Sequence, residues 1–218
     1  MDVLDLYYIC SITATVTYLV AVVIIFSKKT IIPPYPILGL NLISLFSLDI
    51  LFWIISLTSL VNYFNKNTLF SYHLTTLSNI IFYSFFFKTI FRDNGRKIFT
   101  WSIIGLLLLL IIDSFFLSTL KKINTYSSAI LYIWVLIIIG ISFERLVKKK
   151  RYSSIRKEPL FWIYLGILSS QTAYSVHNVS ANKLIEYSSN SYLVMACVMY
   201  LIIILGNLLY MKGCNEIK

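Results

Sequence analysis

A chain of 218 residues that is 58% hydrophobic has more apolar surface than a water-soluble domain of that length can cover with polar side chains, so an ordinary soluble fold is excluded. A net charge of +10 raises nucleic acid as a partner, but the basic residues fall in short segments between apolar runs instead of on a continuous face. That pattern excludes nucleic acid in favour of the charge bias of membrane loops.

Spanning a bilayer takes about 20 apolar residues, with roughly 17–25 tolerated. Seven runs meet this, approximately Leu6–Phe26, Tyr35–Leu60, Leu69–Phe91, Ile98–Leu117, Tyr126–Phe143, Leu160–Val176 and Ser191–Met211. The start, "MDVLDLYYIC", has no basic leader region, and no small-residue cleavage site ends the first run, so this run is expected to stay as a helix. The second starts at "PPYP", since proline suits a first helical turn and not a helix interior. "ERLVKKKRYSSIRKEP", residues 144–159, reads as the longest loop. No internal repeat is visible, so an inverted-repeat transporter has no support.

Lys and Arg set the orientation. One set of connections holds Lys28, Lys29, Lys88, Arg92, Arg96, Lys97, Arg145, Lys148, Lys149, Lys150, Arg151, Arg156, Lys157, Lys212 and Lys218. The other holds only Lys66, Lys121, Lys122 and Lys183. The positive-inside rule then places the C-terminus in the cytoplasm and the N-terminus outside. The expected class is an all-α, polytopic integral membrane protein: one seven-helix transmembrane domain over residues 1–218, in the bacterial inner membrane.

With that topology polarity gathers toward the outside. The outer half of the first run carries Tyr7, Tyr8, Ser11, Thr13, Thr15 and Thr17, while its inner half reads "LVAVVIIF". The third opens with Ser71, His73, Thr75 and Thr76, the fourth ends with Asp113 and Ser114, and the sixth contains "SSQTAYSVHN". Lipid cannot satisfy these groups, so they should face one another or water. Helical spacing places His73, Thr76 and Tyr83 on one stripe, Ser170, Tyr174 and His177 on another, and Asp49 with Ser56 on a third. An outward polar pocket is therefore expected, with Asp49, His73, Thr76, Asn79, Asp113, Gln171, Tyr174 and His177 as candidate ligand-binding residues. Ser and Thr on such faces also serve as interhelical glue. His73 and His177 lie near enough to the outer surface to be simply solvated.

Asp49 stands out. It sits about 12 residues into its helix, near 18 Å of rise at about 1.5 Å per residue, close to the centre of a hydrocarbon layer about 30 Å thick. No Lys or Arg lies at matching depth. It should face the bundle interior at the floor of the outer pocket, either protonated and hydrogen-bonded to a polar neighbour such as Asn79 or wetted by a cavity.

Other chemistry finds little footing. Retinal would need a lysine in "SYLVMACVMYLIIILGNLLYM", which has none. Two histidines are a thin basis for haem. His73, Asp113, His177 and Glu186 could converge outside, but without metal-ligand spacing. Cys10, Cys197 and Cys214 form no CxxC pair and read as small packing residues. HExxH, GxSxG and P-loop patterns are missing. No cofactor is expected. The basic segment with Lys148, Lys149, Lys150 and Arg151 sets topology and attracts anionic lipid at about 1 kcal/mol per basic residue near the surface. Its sharper use is docking an acidic cytoplasmic partner.

"LISLFSLDILFW" in the second run and "KEPLFWIYLGILSSQTAYSV" opening the sixth resemble a group of small seven-helix membrane proteins from Bacteroidetes, often found beside sensor histidine kinases. The similarity covers the helix arrangement along the chain. It departs in the third run, where an acid often follows a tyrosine and "LFSYHLTT" offers His73 instead. The resemblance implies a sensory or accessory membrane role. The function expected is a non-enzymatic membrane sensor or signalling partner that binds a small polar or amphipathic ligand from outside and passes helix movement to a cytoplasmic protein. A small-solute or proton-coupled transporter, with Asp49 as proton carrier, is the rival; an intramembrane enzyme acting on lipid is a third class.

Overall fold

A computed structural model of the chain describes residues 2–27, 34–57, 70–91, 96–118, 122–149 and 152–217. Among these the structure is entirely helical: α1 (Val3–Ser27), α2 (Tyr35–Leu57), α3 (Phe70–Ile90), α4 (Arg96–Ile112), α5 (Thr125–Lys149), α6 (Pro159–Tyr187) and α7 (Ser189–Asn215). A π-helical turn, Asp113–Leu117, prolongs α4, and a 3₁₀ turn, Tyr152–Lys157, precedes α6. Five of the helices (α1, α2, α4 with its π turn, α5 and α7) are long and apolar enough to cross a membrane. The other two, α3 and α6, carry polar side chains through their middles.

Each helix packs on its neighbours in sequence, and α7 returns to α1, so the helices close into a ring. Inside it α3 and α6 face each other through side chains, with Gln171 donating to the Tyr83 hydroxyl at 3.2 Å and the rings of Phe87 and Tyr164 stacked 6.4 Å apart. The upper end of the ring is the one at which α1, α3, α5 and α7 begin.

Two boundaries differ from the sequence reading. The sixth helix runs to Tyr187 instead of stopping at Val176. Its polar extension is held by tertiary bonds that hydropathy does not register: Asn182 Nδ2 donates to the Ile123 carbonyl at 2.8 Å, and Asn182 Oδ1 accepts from the Ile123 amide at 3.0 Å. The basic segment read as a loop is largely helical, since α5 continues to Lys149 and a 3₁₀ turn follows. Residues 58–60, at the end of the second predicted run, lie outside the described residues.

Burial runs opposite to that of a soluble bundle. Along α1 the buried residues are Cys10, Ser11, Ala14, Thr15, Tyr18, Ala21 and Ile25, a single stripe of mostly small or hydroxyl-bearing side chains. The outward face carries Ile9, Ile12, Val16, Leu19 and Val23, all exposed. The same inversion recurs on α4, where Trp101 is 71% exposed and Phe116 78%. An apolar belt of this extent is adverse in water and neutral in hydrocarbon. The buried stripe is small because, in lipid, helices gain from close backbone approach and from bonds between their polar groups.

The lower half is rich in packed aromatic rings. Phe87, Phe99 and Tyr164 are buried, with Trp134 edge-on to Phe87 at 6.0 Å and to Phe99 at 6.2 Å. Phe143 meets Tyr164 at 5.4 Å, and the Arg145 guanidinium closes the end over the Phe91 ring at 4.3 Å.

A single residue, Ser188, links α6 and α7, its hydroxyl accepting from the Ser191 amide as an N-cap. The two helices then lie close enough to require glycine. A Cβ on Gly166 would stand 2.5 Å from the Tyr210 ring, and one on Gly206 would collide with the Ser170 hydroxyl. By contrast, nothing lies within 4 Å of a Cβ placed on Gly105 or Gly140. Gly206→Leu should therefore lower stability by about 1–3 kcal/mol, the usual cost of overpacking. Gly140→Leu should leave the melting temperature of detergent-purified protein within about 1 °C of wild type, since surface changes usually shift stability by less than about 0.5 kcal/mol. Equal melting of the two variants would disprove close α6–α7 packing.

Candidate functional site

Asp49 lies on α2, half-buried, and its Oδ2 accepts from the Thr15 hydroxyl of α1 at 3.2 Å. Beside it is a cavity of about 40 Å³ in the upper half, lined by Leu48, Asp49 and Phe52 of α2, Ser71, Tyr72 and Thr75 of α3, Tyr174 of α6, and Met199 and Tyr200 of α7. Roughly 10–15 Å³ is enough to hold one water, so the space suits two or three waters or a small head group. The lining contains no lysine or arginine. The Asp49 carboxyl is the one carboxyl of the lining and has no basic partner on the wall.

Tyrosine hydroxyls frame the cavity in cross-helix pairs. Tyr18 of α1 and Tyr174 of α6 meet at 2.7 Å, and Tyr72 of α3 and Tyr192 of α7 at 3.0 Å. The Tyr7 and Tyr200 rings pack edge-on at 5.8 Å. Behind the second pair sits His177, stacked on Tyr72 at 5.5 Å and fully buried. Its Nδ1 pairs with Asn178 Oδ1 at 3.3 Å, and its Nε2 has no hydrogen-bond partner among the described residues.

Asp113 belongs to a separate cluster. Asp113 and Ser114 continue the buried face of Leu106 and Leu110, and the π turn that begins at Asp113 leaves Phe115, Phe116 and Leu117 exposed and Ser118 buried. The fourth predicted run is therefore not one regular helix. Asp113 Oδ2 accepts from the Ser127 amide at 2.8 Å and the Ser127 hydroxyl at 2.7 Å. It thus caps the first turn of α5 from another helix, satisfying an amide that has no partner within α5 and placing a carboxyl at the positive end of the helix dipole. His73 Nδ1 meets the Ser114 hydroxyl at 2.8 Å and its Nε2 meets the Lys122 carbonyl at 3.0 Å. Thr76 accepts from Asn124 Nδ2 at 2.6 Å, and Asn178 donates to Ser128 at 3.0 Å.

The eight candidates thus separate. Asp49 and Tyr174 share the cavity. His73, Thr76 and Asp113 secure the α4–α5 connection, and Gln171 is bonded to Tyr83. Asn79 is not the partner of Asp49. It accepts from Asn41 Nδ2 at 3.4 Å, while Ser78 donates to Asn41 and to Ser44, tying α2 to α3. Neither histidine is solvated, His73 being 5% exposed and His177 0%, because both are walled in by neighbouring helices. His73, Asp113, His177 and Glu186 do not converge: among the described residues no three His, Cys, Asp or Glu side chains gather as a metal ion would need. The three cysteines are buried and unbridged.

The sequence reading missed Phe52, Tyr72 and Tyr200 as cavity lining and Thr15 as the partner of Asp49. A signal was present in the count of 16 tyrosines, several of them in the same polar halves as Asp49. Of the basic group, Lys148 is paired with Glu144 at 2.6 Å, and that contact holds the exposed Glu144 carboxyl below its usual range. The Lys149 side chain, Lys150 and Arg151 lie outside the described residues, as does the Ser56 side chain.

No family model, curated protein or solved structure matches the chain at a significant level.

The Asp113 cap can be weighed directly. Asp113→Ala removes the acceptor of two buried donors and should cost about 1–2 kcal/mol, as loss of a helix cap does. Asp113→Asn keeps one acceptor oxygen and should retain most of the stability, read as the melting temperature of purified protein. Wild-type melting of Asp113→Ala would remove the capping role.

Proposed function

We propose that the chain is a seven-span protein of the bacterial inner membrane, with its N-terminus outside, acting as a non-enzymatic receptor. On this reading the upper cavity opens outward, a small polar or amphipathic ligand enters it, and helix displacement is passed to a cytoplasmic signalling partner. The observation that carries the reading is the asymmetry of the bundle: an acid-bearing, tyrosine-framed cavity stands above a close-packed aromatic lower half. A receptor needs access from one side only, and packed rings closed by Arg145 suit that better than they suit a two-sided path. For α3 and α6, polarity is no obstacle to spanning, since they bury those side chains against other helices. The loop-charge bias supports the orientation. The resemblance to seven-helix Bacteroidetes proteins and the kinase-linked partner it implies belong to the same proposal.

Three single cysteines test it in a background with Cys10, Cys197 and Cys214 replaced by Ala. Tyr187, 86% exposed, and Thr75, on the cavity wall, should both react as cysteines with a membrane-impermeant thiol reagent applied to intact cells. A cysteine at the exposed Lys157 should react only in inside-out vesicles. The reverse pattern at Tyr187 and Lys157 would invert the orientation. Labelling of Thr75→Cys from both faces would replace the receptor by a transporter.

A further inference from the structure

The Asp49 cavity does not end at its polar lining. Leu48, Phe52 and Ser71 also line a second hollow, completed by Leu51, Ile55, Phe70 and Leu74. This groove runs between α2 and α3, is almost wholly apolar in its residues, and adjoins the lipid-type surface marked by exposed Leu51, Ile54 and Leu74. An acid-bearing chamber thus continues sideways into an apolar slot.

From this juxtaposition we infer that the site takes an amphiphilic organic cation: an ammonium head in the chamber against Asp49 and an alkyl tail along the α2–α3 groove. The head follows from the lining, because the Asp49 carboxyl shares its wall with Phe52, Tyr72, Tyr174 and Tyr200 and with no basic residue, so an ammonium head would bring the counter-charge that favours its ionised form, and aromatic rings attract ammonium groups through their negative faces. An anionic head would meet the Asp49 carboxyl with no basic residue on the wall to offset it. The size of the chamber, about 40 Å³, admits a head group but not a whole metabolite, so the rest of the ligand must lie elsewhere, and the groove sharing three of its residues is the adjoining space. The inference rests on the outward-pocket reading and narrows it to a ligand class.

The experiment uses the full chain in nanodiscs of zwitterionic phospholipid, with empty nanodiscs subtracted for partitioning into lipid. Binding of hexylammonium, methylammonium, 1-hexanol and hexanoate is measured by calorimetry at pH 7, where an alkylamine is protonated as a lysine is. Hexylammonium should bind at least tenfold more tightly than each of the other three. Asp49→Asn should reduce it to the level of hexanol. Leu74→Trp, filling the groove from its exposed side, should weaken hexylammonium about tenfold and leave methylammonium unchanged. Equal binding of hexanol and hexylammonium to wild type, or a preference for hexanoate, would overturn the cation, and this comparison stands even where Asp49→Asn does not fold. Equal binding of methylammonium and hexylammonium would overturn the tail groove. If Thr75→Cys is labelled from outside while no alkylammonium binds, the ligand class is wrong and the receptor reading survives. If Thr75→Cys is sealed from outside, the receptor reading itself has failed.

Discussion

In hydrocarbon a hydroxyl, amide or carboxyl finds no partner except another protein group or a trapped water. That constraint orders the whole bundle. It explains why α3 and α6, the helices least suited by composition to lipid, are the ones whose polar groups reach across the ring. It also explains why the apolar helices turn their small and hydroxyl-bearing stripes inward. Asn41 with Ser78 and Asn79 joins α2 to α3; Asn207 Nδ2, donating to Thr17 at 2.8 Å, joins α7 to α1; Asn178 with Ser128 joins α6 to α5. Such bonds contribute modestly one by one, about 0.6 kcal/mol on average in a measured membrane bundle. Their larger effect is to fix register, because a helix rotated by one residue would strand several polar groups at once.

The two intramembrane acids show how environment divides like residues between tasks. Asp113 is 0% exposed and spends one oxygen on both donors of Ser127, holding the start of α5 in place. Asp49 accepts from a single threonine and otherwise faces open space and tyrosine hydroxyls. Asp113 is a structural pin through Oδ2, its buried Oδ1 having no hydrogen-bond partner among the described residues. What sets Asp49 apart is its place on a cavity wall, where whatever enters can reach it.

The sequence made the helices legible because apolar runs of spanning length carry a strong one-dimensional signal, and proline and charge marked several ends. It placed Asp49 in the interior of its helix for the same reason. It did not show which face met which. Asn79 and Thr76 are three residues apart on α3, yet one bonds to α2 and the other to Asn124 just before α5, a distinction set by tertiary rotation. The histidines looked solvated because depth was counted from the run boundaries, while α6 in fact continues ten residues past His177 and the rings of Tyr72 and Tyr192 from the neighbouring helices pack on its imidazole. The Tyr18–Tyr174 and Tyr72–Tyr192 pairs join residues 156 and 120 apart in the chain, a separation no local pattern encodes.

These contacts also bear on which part of the bundle can respond to a ligand. A ligand shifts a conformational balance only by its differential affinity for two arrangements, so the walls it touches must be able to move relative to one another. The α6–α7 hairpin is a poor candidate for internal movement, being joined by one residue and locked at Gly166, Gly206 and Gly213, where the backbones leave no room for a side chain. The opposite wall, α2 with α3, adjoins the groove and is tied to the hairpin near the cavity by the Tyr72–Tyr192 hydroxyl contact. A head group between these walls would compete for that hydroxyl pair. Displacement of α3 would then be felt at its lower end, where Phe87 and Phe91 pack against Trp134 and Arg145 of α5. Arg145 stands three residues before Lys148 on the same helix. A shift of α3 thus has a short mechanical route to the basic end of α5, through rings too closely packed to absorb it.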